Sequence, residues 1–287
     1  MNKPELLSPA GDFERLKIAL LYGADAVYIG GNFNLRANAD NFNLEEIRKG
    51  VSYAHERGKK VYVTVNIAMH NAEVLKIKDY LLKLDKIGPD AIIVSDPAII
   101  KIARENTNLT IHLSTQASTL NKEAVNYWKQ EGVKRIVLAR ECTYEDIKTI
   151  KESVDIELEV FIHGAMCASY SGRCVLSNYL TARDSNRGGC SQICRWDFEL
   201  YDDKEPLKGD KPFTFCTKDL SLIKHIPDLI NLGVDSLKIE GRMRSAYYIA
   251  TIVKVYRTII DEYWNNPDAY AYNLKYEQIL GRVANRD

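Results

Sequence analysis

The chain lacks an excess of charge of either sign: 39 Lys and Arg balance 39 Asp and Glu over 287 residues. That excludes a polybasic tail, although a local basic patch survives such an average. No apolar run approaches the roughly 18 residues that a bilayer span requires. The opening Met1-Asn2-Lys3-Pro4-Glu5 runs into a strand-like segment without an apolar leader, so the expectation is a cytoplasmic protein with no membrane contact. Motifs of several enzyme classes are also missing. There is no Gly-x-Gly-x-x-Gly after a strand, no His-Glu-x-x-His, no Gly-x-Ser-x-Gly and no Cys-x-x-Cys knuckle. What is present is an ordinary globular composition, 46% hydrophobic and 27% charged, which excludes wholesale disorder.

Short apolar runs alternate with helical periodicity along most of the length. The strand-like runs are 5–9, 26–30, 61–65, 91–94, 110–113, 135–138, 157–162 and 236–239. Between them, apolar residues recur at helix spacing over 13–22, 44–57, 73–87, 98–105, 121–130, 145–153 and 245–264, with stops at Gly58 and Gly88-Pro89. Eight strands in such an alternation predict a (β/α)8 TIM-type barrel over residues 1–265. A doubly wound open sheet is the weaker alternative, since Gly30-Gly31 alone is no dinucleotide-binding turn. Residues 266–287 are read as a C-terminal extension.

One segment breaks the alternation. Residues 164–235 form a long Cys-rich insertion after the seventh strand, on the face where barrel enzymes keep their chemistry. Its later part, 198–217, is predicted to be a β-hairpin, with turns at Asp202-Asp203-Lys204 and Gly209-Asp210. In a barrel the residues just past each strand converge on one mouth. Here they are Ser8, Gly30, Asn66, Ser95-Asp96, Ser114 with Gln116, Arg140-Glu141, His163, and Glu240 with Arg242. Arginine forks match carboxylates, so Arg140 and Arg242 are candidate anchors for a small anionic ligand. Glu240 and His163 stand with them as candidate catalytic residues.

The insertion carries Cys167-x6-Cys174-x15-Cys190-x3-Cys194, with Cys216 further on, while Cys142 stands alone. In a reducing compartment such clustering points to metal rather than disulfides. Four thiolates on a loop-rich segment suit a [4Fe–4S] cluster, which needs four soft ligands at tetrahedral corners. The candidate ligands are Cys167, Cys174, Cys190 and Cys194, with Cys216 as an alternative fourth ligand in place of Cys194. Arg173, Arg187 and Arg195 can offset the cluster's charge, and with Arg183 they can form a local phosphate-binding face.

The run from Glu159 through His163-Gly164 and Cys167 to Gly172-Arg173-Cys174 and Ser177 resembles the signature of the collagenase-like peptidases of unknown catalytic type. So do Glu5–Gly11, Gly23–Gly30, Asn186–Trp196, Lys218-Asp219-Leu220 and Lys238–Arg242, so the resemblance spans essentially the whole chain. Well-understood members hydroxylate RNA or quinones, and the Cys190-x3-Cys194-Arg195-Trp196 ending is similar to tRNA-uridine hydroxylases that form 5-hydroxyuridine at the wobble position and depend on prephenate. Other branches hydroxylate a cytidine of ribosomal RNA or act in oxygen-independent ubiquinone synthesis. The resemblance implies a cluster on the same four cysteines, tRNA as partner, prephenate as donor, an electron donor that no motif names, and, from the quinone branch, a homologous partner subunit. It also implies that the Asn285-Arg286 ending leads, in longer relatives, into a C-terminal β-domain. One departure is Lys218-Asp219-Leu220-Ser221, where many relatives carry cysteine at the fourth position. The rival readings are a peptidase, with His163 and Cys167 drawn as a dyad, and a zinc-stabilised scaffold.

Overall fold

The computed structural model describes residues 2–35, 41–207, 212–283 and 285. Gly209-Asp210, Arg286 and Asp287 from the sequence reading lie outside them. The order is β1 (Glu5–Pro9), α1 (Phe13–Leu21), β2 (Ala26–Gly30), α2 (Leu44–His55), β3 (Lys60–Val65), α3 (Asn71–Ile87), β4 (Ala91–Val94), α4 (Pro97–Asn106), β5 (Ile111–Leu113), α5 (Lys122–Gln130), β6 (Arg135–Val137), α6 (Tyr144–Ser153) and β7 (Glu157–Ala165). After β7 come α7 (Leu176–Thr181), β8 (Tyr201–Asp202), β9 (Glu205–Pro206), β10 (Asp219–Ser221), α8 (Ile226–Asn231), β11 (Ser236–Ile239), α9 (Ala246–Asn265) and α10 (Lys275–Leu280). Strands β1 to β7 and β11 pair in parallel around a closed ring, in which β11 joins β7 to β1 and β6 joins β7. This is the TIM-type (β/α)8 barrel. No described helix is long and apolar enough to cross a membrane.

Local chemistry explains the helices. α2 starts on a capping box, with Asn43 accepting from the Glu45 and Glu46 N–H groups while Glu46 reaches back to the Asn43 N–H. Its buried residues Ile47, Gly50, Val51 and Ala54 lie three and four apart, so one stripe faces the strands. α4 opens on Asp96 with Pro97 in its first turn. The main core lies between the strands and the helices, and a smaller one of Leu7, Ala26, Tyr28, Tyr62, Ala91 and Ile93 fills the barrel interior.

Two features differ from the sequence expectation. β7 runs on to Ala165, because β10 returns antiparallel and pairs Leu220 with Gly164 and Ser221 with His163. Gly164 is needed there: its φ is +109°, and a Cβ would sit 2.5 Å from the carbonyl oxygen of Glu240. α8 then supplies the crossover helix before β11, so the irregular part of the insertion ends earlier than residue 235. The hairpin is present as β8 and β9, turning at Asp203-Lys204, with Phe198 bridged to Phe213 below it.

Candidate functional site

Side chains alternate along strands, so every second residue of the barrel strands enters the interior. At the N-terminal end these are charged. Arg135 meets Glu5 at 2.6 Å, Glu157 at 2.8 Å and Glu159 at 3.4 Å, and Lys238 meets Glu159 at 2.6 Å. Tyr62 donates to Glu5 at 2.6 Å and stacks edge-on against the buried His112. Above this network a cavity of about 160 Å³ opens at the C-terminal mouth, floored by Tyr28, Ile93, Val137, Phe161 and Lys238.

The structure brings most of the sequence-selected residues to this cavity. Arg140, Glu240 and Arg242 border it, as do Asn66, Ser114, Gln116 and Glu141. The Arg140 guanidinium lies 3.9 Å from the centre of the Phe161 ring. Arg242 is buried and donates to Thr64 Oγ1 at 3.0 Å and to Asn34 Oδ1 at 2.5 Å. Gly30 makes room for it, since a Cβ there would collide with Nη1 of Arg242. Gly30→Ala must shift two side chains, Arg242 and Asn41, but meets no backbone atom, so the fold survives. The expected result is a melting temperature within a few degrees of wild type, with binding of a small carboxylate weakened roughly ten- to a hundredfold, as for a lost charge-assisted contact. Calorimetric titration of the cavity checks it.

His163 is not brought to the cavity. The pairing of β7 with β11 shifts register between Lys238, opposite Phe161, and Ile239, opposite His163. This irregularity turns the ring to the outer face, 5.5 Å from Tyr256 and 6.1 Å from Tyr248, ring centre to ring centre. The expectation that His163 stands at the mouth as a catalytic residue is corrected accordingly. Tyr256 donates to the Ile162 carbonyl, so its oxygen accepts from Nδ1 of His163 and leaves Nε2 bare and buried. Burial, with Arg244 adding to it and Asp219 opposing, lowers the ring's pKa from 6.5 to about 4. The unfolded chain therefore takes up a proton below pH 6.5 that the folded chain refuses until about pH 4. Stability is expected to fall over that window by up to about 3 kcal/mol from this group. Urea unfolding of wild type and His163→Gln checks it: the variant should have the shallower pH slope.

The cysteine-bearing loops are cross-tied around the mouth. Cys167, Cys174 and Cys190 border the cavity. Cys167 Sγ lies 3.6 Å from the Ser169 hydroxyl. Burial raises the Cys174 thiol, but hydrogen bonds from Ser169, the Ser177 and Leu176 N–H groups and Ser185 outweigh it and hold the thiol below its ordinary value. Ser177 Oγ receives the Ser191 N–H and donates to Arg183 O, tying the Cys174 and Cys190 loops. Thr214 Oγ1 joins Cys194 to Cys216, donating to the Cys194 carbonyl at 3.0 Å and accepting from the Cys216 N–H at 3.1 Å. Thr217 Oγ1 donates to Met166 O, which ties the segment after Cys216 to the one before Cys167. The Cys194 thiol is pushed up by burial first and then by Cys167, Cys190 and Cys216, against Arg195. Among the described residues, no three His, Cys, Asp or Glu side chains converge closely enough to form a metal-holding group. Cys142 lies apart, against the carbonyls of Thr119 and Leu120, and burial pushes its thiol up to about 12.

Three contacts clamp the insertion onto the barrel. Glu141 accepts from the Ser171 N–H at 2.6 Å, Arg173 donates to Gln116 O at 2.6 Å, and Arg187 forks onto Glu73 and Ala68 O. Arg187 is thereby committed to structure, whereas Arg183 and Arg195 are exposed. The sequence reading had not singled out Lys238 or Glu159. The available signal was the charge at every second position of Glu157-Leu158-Glu159 and Ser236-Leu237-Lys238-Ile239-Glu240.

Comparison with known proteins gives a consistent family. The family model for peptidase family U32 matches residues 11–287. The chain is 54% identical over 294 residues to a tRNA hydroxylation protein P1 of Bacillus subtilis, covering 100% of this chain and 70% of that one. It is 39% identical over 261 residues to the 23S rRNA 5-hydroxycytidine C2501 synthase of Escherichia coli, covering 91% of this chain and 40% of that one. A solved structure of a U32 peptidase superposes with a TM-score of 0.55 at 15% identity, covering 83% of this chain and 93% of that one, a likeness of fold.

Proposed function

We propose that this chain, which belongs to peptidase family U32, hydroxylates a pyrimidine in RNA, converting the wobble uridine of tRNA to 5-hydroxyuridine. The observation that carries the reading is the 54% identity to a tRNA hydroxylation protein along the whole chain. The relative named for 5-hydroxycytidine in ribosomal RNA supports the same reaction class on a second base.

The donor set at the mouth fits an iron–sulfur cluster in its chemistry: soft sulfurs, on loops tied to one another, beside a cavity. Cys167, Cys174, Cys190 and Cys194 would hold it, with Cys216 as the alternative to Cys194. When bound, such a cluster supplies one-electron chemistry. The rest falls to the chain's own residues. Arg140 and Arg242 orient a carboxylate-bearing donor such as prephenate, and Glu240 stands beside them to hold a proton. Tyr28 and Phe161 keep the floor dry. The target base must leave its stack to reach this depth, which suits an anticodon loop. Around the rim, Tyr170, Tyr179 and Trp196 are exposed and offer faces for unstacked bases. Residues 164–195 hold four arginines against one aspartate, and Arg183 and Arg195 are placed for phosphates.

The peptidase reading gains nothing from the site, because His163 faces away from Cys167's cavity. Nucleoside mass spectrometry of tRNA from a strain lacking the gene tests the proposal. Loss of 5-hydroxyuridine and its derivatives, restored by the gene, is the expected result. Unchanged RNA with altered quinones would overturn it.

A further inference from the structure

The floor of the mouth cavity holds an amine that hydroxylation as read above does not use. Alternation on β11 turns Lys238 into the barrel, where it is 4% exposed. Its Nζ lies 2.6 Å from Oε1 of Glu159, 4.5 Å from the centre of the Tyr28 ring and 5.3 Å from that of Phe161. It borders the same cavity as Arg140 and Arg242. Burial pulls the ammonium below its ordinary pKa, with Arg135 and Arg140 adding to that and Glu159 opposing it. A desolvated lysine at the bottom of an open cavity is poised to act as a neutral amine, the form that attacks carbonyl carbon.

We propose that Lys238 captures the carbonyl of a 2-oxo acid in the mouth cavity as a Schiff base, with Arg140 and Arg242 facing the acid's carboxylate. The proposal rests on reading the cavity as the site of a carboxylate-bearing donor. Glu159 first takes a proton from the ammonium. The freed lone pair of Nζ then bonds to the carbonyl carbon, the C=O π pair moves to oxygen, and a proton shuttled through Glu159 from nitrogen completes the carbinolamine hydroxyl. That hydroxyl leaves as water with the proton held by Glu159, while the nitrogen lone pair forms the C=N bond. Ammonium and ketone become iminium and water, and nothing is oxidised or reduced. The cationic product stays beside the Glu159 carboxylate that it began with.

Borohydride trapping on the full chain tests this, with pyruvate as the probe. The expected product is one adduct heavier than the protein by pyruvate less one oxygen atom, mapped by peptide mass spectrometry to Lys238. Lys238→Arg keeps a cation for Glu159 and should lose the adduct. The proposal is overturned if pyruvate and borohydride leave the wild-type chain unlabelled, if label maps only to surface lysines, or if Lys238→Arg is labelled as well as wild type. Trapping needs neither iron nor RNA, so its failure leaves the RNA reading standing, and unchanged tRNA would leave the adduct standing.

Discussion

Cys190→Ser should leave protein prepared without oxygen colourless and nearly free of iron, and should abolish RNA hydroxylation. Serine is a hard donor that stays protonated at neutral pH, so the variant offers the irons three soft ligands where four are proposed, and binding weakens. Cys190, like Cys167 and Cys174, borders the cavity and belongs to both candidate ligand sets. Cys142→Ser is the control. Burial raises its thiol pKa to about 12 and its sulfur faces the Thr119 carbonyl, so iron content should not change. Five cysteines are candidates for the four positions of the proposed cluster, so Cys194→Ser and Cys216→Ser decide the last ligand. Loss of iron in the first alone fixes Cys194, and loss in the second alone fixes Cys216. Iron analysis and the visible spectrum are the readouts, and full iron content in Cys190→Ser would falsify the cluster.

The barrel was legible because its strands are short β-branched runs set between capped amphipathic helices. β1, β2, β4 and β11 have the bounds that their sequences suggest. Less legible were elements whose pairing is decided far away in the chain. β10 is polar, Asp219-Leu220-Ser221, and exists because β7 offers it an edge at His163–Ala165. The same difficulty misplaced His163. Strict alternation from Glu159 and Phe161 points it into the mouth, and one irregularity opposite Lys238 turns it out. The arginines of the insertion illustrate a third limit. Arg183 and Arg187 look alike in sequence, yet Glu73 on α3 commits only the second to holding the loop in place. The thiols were legible as a set by spacing alone: Cys167, Cys174 and Cys190 border the cavity, while no three of the described side chains close into a metal-holding group.

Glu159→Leu should be among the most destabilising single changes in the molecule, by about 3–5 kcal/mol. The carboxylate is fully buried and accepts from both Lys238 and Arg135. Arg135 keeps Glu5 and Glu157 when it is lost. Among the described residues, Lys238 keeps only ring faces and cationic neighbours, so it carries most of the penalty. Adding Lys238→Leu should then recover at least half of the loss, since a buried ion pair exchanged for apolar side chains of similar size is close to neutral. Urea unfolding of the two single variants and the double variant closes the cycle. Additive losses would mean that the two side chains do not depend on each other. A strong coupling combined with a stable double variant has a further consequence. The barrel would then have no structural need for this pair, and a lysine kept at the floor of its mouth, at the expense of desolvation, would be there for its amine.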